Sequence, residues 1–136
     1  MQDTDSIVLM VPASAGELID KITILRIKSE RIADSAKLAN VRKELAALEH
    51  VLSTHFPAAG PDLHASILEL QAINERLWTI EDDIRDCERM GDFGASFVAL
   101  ARAVYLTNDE RARVKRAINT AVGSAFVEEK SYRDVT

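Results

Sequence analysis

Only one cysteine, Cys87, occurs in the 136 residues, which excludes an internal disulfide and fits a reducing compartment. Aromatic residues make up 5% of the chain, so its core must be aliphatic. Positive charge is in deficit: the net charge of -5 argues against a general nucleic-acid binder, which normally carries a basic footprint. Long hydrophobic runs are missing too. The apolar run at residues 7–11 is too short to cross a membrane. It follows Asp3 and Asp5 instead of a basic leader and lacks a small-residue cleavage site, so it does not read as a secretion signal. No internal repeat, low-complexity tract or linker divides the chain. A single domain over 1–136, without a membrane span and in the cytoplasm, is the expectation.

What the chain has is helical phrasing. The hydrophobic fraction is 47% and the charged fraction 29%, ordinary for a globular domain. Residues 61–90 carry Leu70, Ile73, Leu77, Ile80, Ile84 and Cys87 at steps of three and four, one face of a helix. Pro61 suits the first turn and Gly91 the position just past the end. At ~1.5 Å per residue this is a rod of roughly 45 Å. The spacing predicts an all-α fold, an antiparallel bundle of four to five helices behind a short extended N-terminal arm at residues 7–11.

Ser14-Ala15-Gly16-Glu17 has the spacing of a capping box and starts a first helix to about Ile32, with Leu18, Ile22, Leu25 and Ile32 as its main face. Asp34 and Ser35 are candidates to cap a second helix, in which Leu38, Val41, Leu45, Leu48 and Leu52 alternate steps of three and four. Pro57, Gly60 and Pro61 stop it. After Gly91, Asp92 is placed to cap a fourth helix with Phe97, Leu100 and Val104. Thr107-Asn108-Asp109-Glu110 offers a further capping box ahead of Val114, Ile118 and Ala121. Residues 93–122 therefore read equally as one helix or two. The stretch 125–127 is a candidate to pair with the arm.

Two polar stripes stand out. Asn74, Trp78, Glu81 and Arg85 share a side of the long helix, and Asn108, Arg111, Lys115 and Asn119 form a basic counterpart. Facing each other, they would pair Glu81 with Arg111 or Lys115 and make a pocket for a small anionic or aromatic ligand. Interhelical salt bridging at a bundle rim is the commoner use of such stripes. Ser14, with Ala15 and Gly16, sits at a helix N-terminus, where free amides attract anions, although capping is the usual role. His50, His55 and His64 lack a ligand set, no carboxylate pattern is complete enough to name, and no metal or cofactor is expected. Cys87 lies on the apolar ladder and reads as a core filler.

The phrases at 11–25 (VPASAGELIDKITIL), 77–85 (LWTIEDDIR), 101–119 (ARAVYLTNDERARVKRAIN) and 128–132 (EEKSY) resemble an uncharacterised family of small bacterial helical proteins. The resemblance covers nearly the whole chain. It implies a bacterial cytoplasmic domain, with some relatives fused to or encoded near polysaccharide and glycosyltransferase functions, and it implies no reaction or ligand. A fold-level similarity to helical chorismate mutases lies in Leu18-Ile19-Asp20-Lys21-Ile22 opening a helix. The arginine those enzymes carry before the Ile-Asp pair is absent here, where Gly16 and Glu17 stand.

The leading functional expectation is a non-catalytic binding and assembly module, linked to surface-polysaccharide metabolism through that family, which forms a homodimer and binds a protein partner. The alternative is a small enzyme or ligand-binding protein for an anionic metabolite such as a phosphosugar, nucleotide or dicarboxylate. The dimer expectation rests on the first helix. Ile24 and Ile27 fall opposite its main face between Asp20 and Arg31, and a two-fold contact would bury them and set Asp20 against Arg31 of a second copy.

Overall fold

Capping residues in the chain set the helix boundaries. In the computed structural model, which describes residues 6–57, 60–126 and 128–135, α1 spans Ala15–Arg31, α2 Ser35–His55, α3 Pro61–Met90 and α4 Ala95–Val122. No strand occurs among the described residues. The Ser14 hydroxyl accepts the Glu17 amide at 3.1 Å, and the Asp34 carboxylate accepts the Lys37 amide at 2.9 Å. Gly91 ends α3 with a left-handed φ of 69°, a conformation that costs glycine nothing. No helix of the described residues is long and apolar enough to cross a membrane.

Residues 93–122, open between one helix and two, hold a single helix from Ala95. The capping box at Thr107 is not used as one, since Thr107 is buried on the same side of α4 as Val114 and Ile118. Continuous packing along α3 outweighs the local cap. Gly94, not Asp92, caps α4, and the Asp92 carboxylate, two residues earlier, accepts the Gly94 amide at 3.1 Å. Residues 7–11 form the expected arm, 73% to 90% exposed. No ladder joins this arm to the C-terminal tail among the described residues, and Val127 lies outside them.

The core is small and aliphatic: Ile19 of α1, Leu70 and Ile73 of α3, and Val114 and Ile118 of α4 are buried together. α1 runs antiparallel to α4, since Gly16 meets Asn119 and Asp20 meets Arg111. α2, α3 and α4 all pack on α1. That central position corrects the expected face of α1. The fully buried apolar residues are Ile19, Ile22, Leu25 and Ile27, while Leu18 and Ile32 are half-buried. Ile27, expected to need a second copy for its burial, is 1% exposed within one chain, and Ile24 is half-buried. The bare isoleucine patch that motivated a dimer through α1 is therefore not present.

α2 lies along α1 alone, tied by Lys21–Glu44 at 2.7 Å and Arg26–Glu49 at 3.7 Å, and meets the core through Leu52. None of its residues is fully buried, so its leucine ladder is a half-covered seam. Truncation should reflect the difference. Leu70→Ala, at a fully buried core position, is expected to cost ~2–5 kcal/mol, and Leu45→Ala in α2 less than ~2 kcal/mol. Equal losses in urea unfolding would refute this division of the core.

Candidate functional site

Asp20 sits on the buried side of α1 beside Ile19, only 3% exposed, where an unpaired carboxylate is costly. Three helices meet that demand. From α4, Arg111 donates through Nε to Oδ1 at 2.9 Å and through Nη2 to Oδ2, a two-pronged clamp. From α3, the Asn74 amide donates to Oδ1 and to the Thr23 hydroxyl, both at 2.9 Å. Thr23 donates in turn to the Asp20 carbonyl at 2.8 Å, within α1 itself.

One turn on along α4, Lys115 is buried beneath the first turn of α1 and the C-terminal tail. Its Nζ pairs with Glu17, with Glu128 at 2.8 Å, and more distantly with Asp20 at 3.8 Å. A further turn along, the Asn119 side-chain Oδ1 accepts the Gly16 amide at 2.7 Å. A Cβ at position 16 would lie 2.7 Å from the Lys115 carbonyl oxygen, so only glycine allows α1 this close to α4. Glu17 is thus drawn to Lys115, and only the serine half of the expected capping box is made.

The electrostatics follow the pairing. Burial pulls Lys115 down, but hydrogen bonds to Glu128 and Glu17 and the charge of Asp20 outweigh it and raise the ammonium above its ordinary value. The hydrogen bond from Lys115 holds the Glu128 carboxyl below the usual range. Arg111 is raised by its bond to Asp20. Among the described residues, every fully buried side-chain nitrogen and oxygen is hydrogen-bonded. No group of three or more His, Cys, Asp or Glu among them is placed to hold a metal.

The two polar stripes converge only in part. Asn74, Trp78, Glu81, Arg85, Asn108 and Arg111 line one cleft between α1, α3 and α4. Lys115 and Asn119 lie instead under the start of α1. Neither pairs with Glu81, which takes Arg85 at 3.4 Å. Ser14 and the amides of Glu17 and Gly16 are occupied by capping and by Asn119, which leaves them no vacancy for an anion. Asp20 faces inward to Arg111, not outward to Arg31, and Arg31 lies over the Trp78 ring at 5.8 Å. Sequence reasoning missed Glu17, Thr23 and Glu128 as parts of the cluster. The available signal was Asp20 and Thr23 one turn apart between buried isoleucines.

The cluster draws on residues 16 to 128, nearly the whole chain. The family profile of DUF6165, a family of unknown function, matches residues 9–135. The chain belongs to this family. No curated protein and no solved structure matches it. In this DUF6165 protein the cluster binds four elements, α1, α3, α4 and the tail, through one set of charges.

Two consequences are measurable. Asp20→Ala strands Arg111 and Asn74 and should cost ~3 kcal/mol, the low end for a broken buried pair because Arg111 keeps 28% exposure. A cycle with Arg111→Met should show coupling of ~1–3 kcal/mol in urea unfolding, and additive losses would dissolve the pair. The second consequence concerns pH. The lowered Glu128 contributes stability above its unfolded value of ~4.3, lost as pH falls through the folded value. The raised Lys115 contributes below ~10.4 and loses that contribution as pH rises through its folded value. Thermal midpoints should form a plateau between these limits, and Glu128→Gln should lower the plateau and flatten the acid limb.

Proposed function

We propose that this protein is a non-catalytic helical binding and assembly module that pairs with a second copy of itself along α4. The observation that carries this reading is the composition of the first three turns of α4. From Ala95 to Leu106 only Ser96 and Arg102 are polar. A helix apolar all round calls for cover on more than one side. Phe97, Leu100 and Val104 are half-buried, while Val98, Tyr105 and Leu106 remain 53%, 43% and 37% exposed.

A second copy fits this exposed side, beside the cleft where tail residues flank Tyr105 and Asp109, through complementary charge. About a two-fold axis between Tyr105 and Leu106, antiparallel α4 helices set Tyr105 against the second copy's Leu106 and Arg102 against its Asp109. Arg102 makes no ion pair among the described residues, and Asp109 has only Lys130 at 3.6 Å. The non-catalytic part is supported by the polar cluster. Lys115 and Glu128 are driven away from neutrality, the direction opposite to that of proton-transferring groups. The buried thiol of Cys87, raised by burial and by Asp92, Asp83 and Asp86, accords with a reducing cytoplasm.

Sedimentation tests the assembly. The wild type should run as a dimer at micromolar concentration, Arg102→Asp as a monomer, and Arg102→Asp with Asp109→Arg as a dimer again. A wild type that stays monomeric at ~100 μM, where even a weak specific dimer would populate, overturns the reading.

A further inference from the structure

We infer that the cleft between α1, α3 and α4 is a binding site for a small carboxylate that carries a flat aromatic ring, a role independent of the α4 pairing above. Its volume is about 440 Å³, within the range of small-molecule sites. Ile24, Leu77 and Trp78 supply apolar lining, and Lys28, Asn108 and Arg111 supply polar groups that converge on it.

The arginine is the built part of the site. Asp20 grips Nε and one Nη2 hydrogen from behind, and Asn108 takes one Nη1 hydrogen at 3.4 Å. A guanidinium has five N–H donors, so two remain, on a group whose orientation is already set by a buried carboxylate. Lys28 lines the same cleft half-buried, and its ammonium has no hydrogen-bond or ion-pair partner among the described residues. A carboxylate between Lys28 and the free edge of Arg111 would answer both. On the outer wall, Glu81 is engaged by Arg85, and Asp82 is the one lining acid without a described partner. It favours a ligand whose acid end points inward.

Trp78 decides the other end of the ligand. The Arg31 guanidinium lies 5.8 Å from the ring centroid, an exposed contact that is easily displaced. The flat aromatic ring of the ligand stacks on the indole at this end of the cleft.

Trp78 is the only tryptophan of the chain, so its emission reports on this cleft alone. The probes are phenylacetate and its two halves, acetate and benzyl alcohol, followed by tryptophan emission and by calorimetry. Phenylacetate should give a saturable change, with each half at least ~10-fold weaker, the factor expected when one anchoring group is lost. Lys28→Gln, at a side chain without a structural partner, should weaken phenylacetate binding ~10-fold with unchanged helix content. Trp78→Leu should abolish the calorimetric signal. The inference is overturned if folded wild type shows no saturable response to phenylacetate by either method. It is also overturned if Lys28→Gln binds as the wild type does, or if acetate alone binds as tightly as phenylacetate.

Discussion

The carboxylate of Asp20 is the group on which the arrangement of three helices depends. Buried among isoleucines, it cannot remain without partners, and the partners come from helices distant in sequence. Hydrophobic contact is non-directional and would tolerate α1 sliding or rotating against the α3–α4 hairpin. A bidentate arginine and an amide on one carboxylate do not. They set the register of α1 on α4, and Asn74, by bridging Asp20 and Thr23, sets it on α3. Such a cluster adds little net stability over an apolar replacement, but it makes other alignments expensive.

From that point the neighbouring features follow. With Asp20 opposite Arg111, an antiparallel α1 brings Glu17 level with Lys115 and Gly16 level with Asn119. The close approach at Gly16 is possible because no Cβ intervenes, and it leaves Lys115 with little access to water. A buried ammonium needs more than one acid, and the tail answers with Glu128 while Arg116 and Glu129 fasten it alongside at 2.8 Å. The tail is therefore held by charge where its apolar residues, such as Phe126 and Tyr132, stay exposed. The same arginine that anchors α1 also lines the cleft with Trp78, so structural clamp and candidate site share one side chain.

Much of the fold was legible in the chain because helices advertise themselves locally. Apolar spacing gave the long α3, and Ser14, Asp34 and Gly91 mark ends through chemistry that acts within one turn. Less legible were the faces of α1. A helix covered by one neighbour shows one apolar stripe, but α1 has three neighbours, so Ile27 is as deeply buried as Ile19. Periodicity does not reveal how many helices will pack on a given one. The choice between one helix and two near Thr107, open in the sequence, is settled for a related reason: a capping box is a local preference, and continuous packing against α3 overrides it.

Membership of the polar stripes was readable from helical spacing, since side chains three and four apart share a face in any helix. Their partners were not. Glu81 looked placed for Arg111 or Lys115, yet it is spent on Arg85 one turn away, and those two cations are taken by Asp20, Glu17 and Glu128. The sequence by itself determined the helical class, the caps, the aliphatic core and the residues available for charge pairing, because these depend on neighbours within a turn or two. Only the tertiary structure decided which carboxylate meets which cation, because that choice depends on the rotation and register of α1 between α3 and α4. A displacement of one residue along α1 would turn Asp20 away from Arg111 by ~100°.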